Sequence, residues 1–417
     1  MNKNIFNTSY AIELDKNSSM YNHSKLFHYP VKKNKKILYF NGNSLGLQPK
    51  GVEQSVFKEL DDWKNLGSIG YFKNWVTYHE TLNKLSSLIV GAKPSEIMIM
   101  NALTVNIHLL LISFYKHTKT RYKILIEKDI FPSDRYAIAS HLKMKKLNPS
   151  KVIEEINANN HYIETDAILK KIEENKESLS LIWLGGVNYY TGQKFDMKEI
   201  TKFAKRYNIM VGYDLAHAVG NVELKLHDWN VDMASWCNYK YLNSGPGSPS
   251  GVYIHEKYHN WESDRLEGWW GNKYSSRFEM KKNFDASKNA SGWSISNMPI
   301  LSSAPLRISL GLYNSIGMDR FRNASVSLTN YLESLIKKEL DRYIKIITPS
   351  NSSERGCQLS LKIKGGKNVY DYLKKNNIIC DWRNPDVIRV APTPMYNTHE
   401  EIFEFVKILK DYDFKYR

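Results

Sequence analysis

A lysine, a tyrosine, a histidine and an aspartate follow two successive apolar runs. IMVGY (209–213) leads into Asp214 and then LAHAVG, which carries His217. VDMASW (231–236) leads into CNYKYLNSGPGS, which carries Tyr239 and Lys240. A third run, YKILI (122–126), leads into EKDIFPSD with Phe131 and Asp134. A lysine held at a buried strand end is a nucleophile suited to a Schiff base with a carbonyl. A carboxylate at the neighbouring strand end can keep a pyridine nitrogen protonated, so that the ring accepts electrons. Phe131 or His217 offers a stacking face. Thr104, at the head of the apolar stretch NALTVNIHLLL, offers a helix start to a phosphate. Together these are the parts of a pyridoxal 5'-phosphate (PLP) site. Taken singly, each has an ordinary structural use: Asp214 as a turn or cap residue, Lys240 as a surface lysine, His217 and Phe131 as core. The signal is the ordered set, with Asp214 and Lys240 about 26 residues apart, one βαβ step across adjacent strand ends.

Elements that could position these residues are legible in the pattern. ILYF followed by NGNSLGLQP reads as a strand and a turn. Residues 50–115 carry apolar positions every three or four residues, a helical period. YKILI, LSLIWL (179–184), IMVGY, VDMASW and SGVYIH (250–255) read as strands, with helical segments such as MKEITKFAKRYN between them. Strands alternating with helices predict an α/β fold with a mostly parallel sheet sandwiched by helices. Ligands of such sheets bind outside the carboxyl ends of the strands. Beyond residue 300 a long helical stretch (about 305–340) gives way to short strands and helices ending in THEEIFEFVKILKDY. The predicted organisation is an N-terminal arm (1–40), a large α/β domain (41–300) and a smaller α+β C-terminal domain (301–417).

The chain has 417 residues, 42% of them hydrophobic, enough to bury a real core and to exclude global disorder. Lys and Arg number 59 against 43 Asp and Glu, a formal net charge of +16. The lysines are scattered, with no basic stripe interleaved with aromatics, so they read as a solvated surface that also steers anions, not as a nucleic-acid site. Three cysteines, Cys237, Cys357 and Cys380, make no disulfide framework and have no metal-ligand spacing, so no metal is expected. The N-terminus lacks the apolar run of a signal peptide, and no apolar stretch approaches a membrane span. The expectation is a reduced, cytoplasmic protein without a membrane partner.

The run VGYDLAHAVGNVELKLHDWNVDMASWCNYKYLNSGPGS resembles the cofactor-binding core of the kynureninases, PLP enzymes of the fold-type-I (aspartate aminotransferase-like) superfamily. FNGNSLGLQP, MNALTVNIHLLL, IFPSDRYA, YYTGQ, EGWWG, ISNMPI, ERGCQL and RNPDVIRVAPTPMYN extend the resemblance in order from about residue 40 to 397. By that resemblance Lys240 carries PLP as an imine, Asp214 pairs with the pyridine nitrogen, and Phe131 stacks on the ring. Ser133 and Asp134 of FPSD share the pocket, Leu103 and Thr104 start the phosphate-binding helix, and His217 and Tyr239 flank the cofactor. Trp269 and Asn297 reach the cofactor and substrate from a partner subunit, which implies a homodimer with shared sites. Ser44 lies in a turn near the substrate, and Arg389 clamps the substrate α-carboxylate as a planar, bidentate fork.

The implied reaction is the hydrolysis of L-kynurenine or 3-hydroxy-L-kynurenine to anthranilate or 3-hydroxyanthranilate plus L-alanine, a step of tryptophan breakdown and NAD biosynthesis. Tyr239, its phenol held low in pKa by the nearby phosphate network or the cofactor, is the expected proton relay to the oxyanion. Gly185 stands where relatives often carry serine, and the segment around Ser68 departs from relatives that place a ring-contacting residue there. Both leave the preference between the two substrates open, although Asn297 resembles the pocket associated with the 3-hydroxy substrate. Two other readings compete. A cysteine desulfurase-like lyase of the same superfamily needs a mobile catalytic cysteine, whereas Cys357 and Cys380 lie in apolar strand-like stretches. A basic nucleic-acid-binding protein would show steep salt dependence and no cofactor.

Overall fold

The computed structural model of the chain describes residues 5–414. Its first helix is α1 (Thr8–Lys16), followed after a turn-rich segment by α2 (Val52–Leu66) and α3 (Tyr78–Val90). A central sheet then begins. Its strands are β1 (Ile97–Met100), β2 (Lys123–Glu127), β3 (Ile153–Ile156), β4 (Leu179–Gly185), β5 (Met210–Asp214), β6 (Met233–Trp236) and β7 (Ser250–Ile254). The helices between them are α4 (Leu103–Phe114), α5 (Pro132–Met144), α6 (Thr165–Asn175) and α7 (Met197–Lys205). The strand order is β1-β7-β6-β5-β4-β2-β3. Only β7 runs against its neighbours. The inner strands are continuous apolar runs, and every residue of β4 is buried, because helices cover both faces of a parallel sheet.

The four apolar runs expected between 122 and 236 are strands within one or two residues of their predicted bounds. Two strands were not legible. IMIM (β1) lies within a stretch of helical period, and IEEI (β3) is too polar to stand out at a sheet edge. The connection from β5 to β6 contains turns and no regular helix, so the step from Asp214 to Lys240 is a parallel crossover without its expected helix.

The C-terminal part starts with α8 (Ile300–Ile316), which packs on α2 and α3. Gly317, at φ 81°, breaks the expected single long helix and leads into α9 (Met318–Glu339). The remaining elements are β8 (Ile344–Ile346), β9 (Leu359–Ile363), α10 (Lys367–Lys375), β10 (Asp381–Arg383), β11 (Val387–Val390) and α11 (His399–Lys410). Their strands form an antiparallel sheet of order β8-β9-β11-β10. Its apolar core takes in Leu328, Leu361, Val390 and Phe405, and also Ala11 of α1 and Phe40. The first helix of the arm therefore shares the small unit's core, and a boundary drawn at residue 300 falls at the head of a helix packed on the large unit. Among the described residues no helix is long and apolar enough to cross a membrane.

Candidate active site

The carboxyl ends of β2, β4, β5 and β6 lie side by side in the sheet, and their following loops converge on one cavity of about 340 Å³. Glu127 ends β2, Gly185 ends β4 and Asp214 ends β5, with Gly185 and Asp214 in register and Asp214 opposite Ser235 of β6. The loop after β6 brings Cys237, Tyr239 and Lys240 to the same wall. Phe131 precedes Pro132 at the head of α5, and Ser133 follows it there. Leu103 and Thr104 open α4, whose N-cap position holds Ala102 and offers no capping side chain. The first-turn N–H groups of α4 therefore face the cavity without a side-chain acceptor, the local condition for holding a phosphate.

Lys240 Nζ lies 3.2 Å from His217 Nε2 and 5.8 Å from the centroid of the Phe131 ring. Burial and the neighbouring Lys240 push the His217 imidazole well down, so it is neutral and accepts from the ammonium. Asp214 Oδ1 accepts the Ala216 N–H at 2.7 Å. Asp134 Oδ1 accepts Trp183 Nε1–H at 2.8 Å. Burial raises both carboxyls. Asp134 is raised further by the charge of Asp214, whereas Lys240 and the Ala216 N–H oppose the rise at Asp214. Asp214 is thus the better placed of the pair to remain ionised, as an acidic partner for a pyridinium must.

Burial first, and then Cys237, push the Tyr239 phenol up. It faces the cavity as a neutral hydroxyl that can give a proton. Its carbonyl accepts the Gly46 N–H at 2.9 Å, which ties the GNSLG turn, and with it Ser44, to the lysine loop. A Cβ on Gly46 would stand 2.5 Å from the Lys240 carbonyl oxygen, so only glycine permits this approach.

Arg389 of β11 crosses from the small unit and is 1% exposed. Its Nη1 donates to the Tyr189 carbonyl at 2.6 Å, while its Nε and Nη2 hold Asp381 at 3.2 and 2.8 Å. A guanidinium carries five N–H donors, and two remain on Nη1 and Nη2 after these contacts, enough for a bidentate carboxylate.

The cavity thus gathers Ser44, Leu103, Thr104, Phe131, Ser133, Asp214, His217, Tyr239, Lys240 and Arg389, with Asp134 bonded to its wall. It does not gather Trp269 or Asn297. Trp269 is 43% exposed, and its Nε1–H donates to the Arg277 carbonyl. Asn297 lines a separate surface cavity of about 430 Å³ together with Ser68, Trp63, Tyr71 and Trp75. Residues singled out by geometry alone are Glu127, Asn43, Tyr189, Arg383 and Cys237. Cys357 and Cys380 are buried and line no part of the cavity. A different grouping of ligand-type side chains, Glu96 with His227 and His255, lies at the opposite edge of the sheet, where β1 and β6 begin. Glu96 is there satisfied by the N–H groups of Lys93 and Glu256 and by His227 Nδ1.

The residues present fit PLP. An amine, a buried carboxylate, a stacking ring and an uncapped helix start share one cavity. Two buried polar atoms in or behind its wall, Asp134 Oδ2 and His217 Nδ1, lack a partner among the described residues. Comparison with known proteins agrees. The kynureninase C-terminal domain family matches residues 321–409, and the DegT/DnrJ/EryC1/StrS aminotransferase family matches residues 130–228. The kynureninase of Flavobacterium psychrophilum is 46% identical over 411 residues, spanning 96% of this chain and 97% of that one. That of Flavobacterium johnsoniae is 46% identical over 412 residues, with the same coverage. That of Myxococcus xanthus is 42% identical over 410 residues, covering 96% of each. Among solved structures, the cystine C–S lyase C-DES with its product cysteine persulfide matches with a TM-score of 0.79 at 17% identity, covering 90% of this chain and 98% of that one. A C-DES mutant with glycine covalently linked to its PLP cofactor gives the same TM-score at 16% identity, covering 90% and 97%. At such identities these structures share the fold alone. The near full-length identity to curated relatives decides the family: this chain belongs to the kynureninases.

Proposed function

We propose that the chain is a PLP-dependent hydrolase of a carbon–carbon bond. It cleaves L-kynurenine and/or 3-hydroxy-L-kynurenine to anthranilate or 3-hydroxyanthranilate plus L-alanine, in the kynurenine pathway of tryptophan breakdown and NAD biosynthesis. The observation that carries this reading is the Lys240 amine, held between the Phe131 ring and neutral His217 beside the buried Asp214–Asp134 pair. PLP supplies, when bound, an electron sink for the electron pair left at the substrate α-carbon. Lys240 is the residue that would hold it, with Asp214 at its nitrogen, Phe131 on its face, and Thr104, Ser133 and Tyr239 at its phosphate end.

The chain's own residues then divide the work. Arg389 binds the substrate α-carboxylate through its two remaining N–H groups, which orients the α-carbon toward Lys240. Lys240 Nζ is the base that would move the proton at that carbon. Water adds to the γ-carbonyl; the Cβ–Cγ bond then breaks with its electron pair left on Cβ, which takes up a proton to become the methyl group of alanine, while the water oxygen leaves in the new carboxylate. Tyr239 Oη gives a proton to the oxygen that becomes negative on the way.

A homodimer with shared sites completes the proposal. Phe72, Phe278 and Trp269 are exposed and touch one another, with ring centroids 5.5 and 5.4 Å apart, a continuous aromatic patch of the kind that marks an interface. Ser68 and Asn297 share a pocket on the same exterior. These two positions, expected from the resemblance to read the substrate ring, would then serve the partner's cavity. Three unpaired, buried cysteines support the cytoplasmic setting. The test is fluorescence detection of anthranilate on adding L-kynurenine to the purified protein, with alanine formed in equal amount. Alanine released from cysteine, with no anthranilate from kynurenine, would establish the desulfurase reading instead.

A further inference from the structure

We propose that Glu127 is a positioning residue for substrate binding: through Asn188 it fixes the turn whose Tyr189 carbonyl holds Arg389 in place. This inference rests on the hydrolase reading of the same cavity and adds to it a control on the carboxylate clamp.

The chain of contacts is continuous. Glu127, at the end of β2, is 2% exposed. Its Oε1 accepts the Gly185 N–H at 3.1 Å and its Oε2 accepts Asn188 Nδ2–H at 2.9 Å. With its amide nitrogen committed to Glu127, Asn188 must turn its Oδ1 the other way. That oxygen accepts the N–H groups of Tyr190 and Thr191, at 3.0 and 2.8 Å, and the Thr191 hydroxyl at 3.1 Å. The 188–191 turn is thereby wound around one side chain, an Asx-type arrangement. Its outward carbonyls bind the small unit. Tyr189 O accepts from Arg389 Nη1 at 2.6 Å and from Gln358 Nε2 at 3.2 Å, Tyr190 O accepts from Ser360 Oγ at 2.5 Å, and Thr191 O accepts from Thr348 Oγ1 at 2.5 Å.

Glu127 decides which way the Asn188 amide faces. Ionised, above about pH 7, Glu127 offers acceptors to both Gly185 and Asn188, whereas a carboxamide offers one acceptor and sets a donor against a donor at the other. Gly185 is the second half of the device. A Cβ there would stand 2.9 Å from Glu127 Oε1, so the bare backbone leaves the carboxylate its seat. Burial first, and the charge of Asp214 as well, raise the Glu127 carboxyl to about 7, which is the cost of holding this acceptor in a dry wall. Such a group is retained at this cost when its partners need it.

Two variants and a double-mutant cycle test the inference on the PLP-loaded enzyme. Glu127→Gln keeps the shape and removes one acceptor. Gly185→Ala keeps every polar group and displaces the carboxylate by contact. Each is expected to raise the KM for L-kynurenine about tenfold while kcat changes less than about threefold and the cofactor absorbance is unchanged. In an Arg389→Lys background the further rise caused by Glu127→Gln is expected to shrink below about twofold, because both changes act through one contact. An unmoved KM in both variants, with normal turnover by the unsubstituted enzyme, overturns the inference alone. The full tenfold rise in the Arg389→Lys background, or a KM that rises only with loss of cofactor, also overturns it, since Glu127 would then act elsewhere. Absence of kynurenine turnover by the unsubstituted enzyme sinks this inference and the hydrolase reading together.

Discussion

Tyr239 stands one residue before Lys240, and its phenol is raised by burial and by Cys237, so it holds its proton until a stronger base forms beside it. That base is the oxygen of the hydrated γ-carbonyl. Tyr239→Phe, assayed at saturating cofactor, is expected to lower kcat by about a hundredfold, the loss typical of one oxyanion donor; undiminished turnover would remove Tyr239 from the chemistry. Arg389→Lys replaces a fork with a point charge and leaves Asp381 and Tyr189 short of donors. KM is expected to rise at least about tenfold, and an unchanged KM would remove Arg389 from the clamp. Glu127 gives a pH prediction for the cofactor-free protein. Asp214, Asp134 and Tyr189 are the titratable groups electrostatically coupled to it. An acid raised from 4.5 to about 7 in the fold binds more protons folded than unfolded. Its contribution is full below pH 4.5 and is lost as pH rises through about 7. Melting temperature followed across that window should fall more steeply in the parent than in Glu127→Gln, and equal slopes would contradict the raised carboxyl. The rule that exposed Asp214, a carboxylate closing a buried strand, applies equally to Glu127. What marks Glu127 out is tertiary, its contacts with the Gly185 N–H and with Asn188, which local sequence does not announce. Asp381 was not legible at all, since its grip on Arg389 depends on the antiparallel register of β10 and β11.

At the scale of elements, the cavity is built where four strand ends and two helix starts meet, and local sequence announces most of them. Continuous apolar runs mark strands buried on both faces, and the Pro132 and Thr104 stretches mark helix starts. Tertiary pairings are what it does not announce. The GNSLG turn packs on the lysine loop across nearly 200 residues of chain, and Gly46 is the contact point. Gly46→Ala is expected to displace the 239–243 loop and lower kcat/KM by at least about tenfold, through misplacement of Lys240; wild-type kinetics would show that the turn does not position the lysine. The arm shows the same kind of long-range dependence. Asp15 of α1 caps α11 from a distance, accepting the His399 and Glu400 N–H groups at 2.7 and 3.0 Å and facing His399 Nδ1 at 2.8 Å. Asp15→Ala leaves these buried donors unpaired and is expected to cost about 1–3 kcal/mol in thermal or denaturant unfolding, with KM unchanged. An unaltered stability would mean that the cap is replaced by solvent.

For the whole molecule, the formal charge of +16 is spread over a surface whose field favours the approach of an anionic cofactor. Trp269 and Asn297 lie outside the cavity of the single chain, and they are the residues on which the proposed shared-site homodimer is tested. Mixing Lys240→Ala with Trp269→Ala, each inactive alone, is expected to restore roughly a quarter of the activity after subunit exchange, because half of the dimers carry one intact site. No recovery would confine the site to one chain. Sequence reading reaches the family because its motifs are contiguous, and it stops at pairings that only the fold creates, such as Gly46 with the lysine loop and Asp381 with Arg389. The account stands or falls on where the cofactor is attached. Borohydride reduction of the purified enzyme, followed by peptide mapping, should place the pyridoxyl label on Lys240 in the peptide containing CNYKYLNSGPGS, and a label on any other residue, or no label, would contradict it.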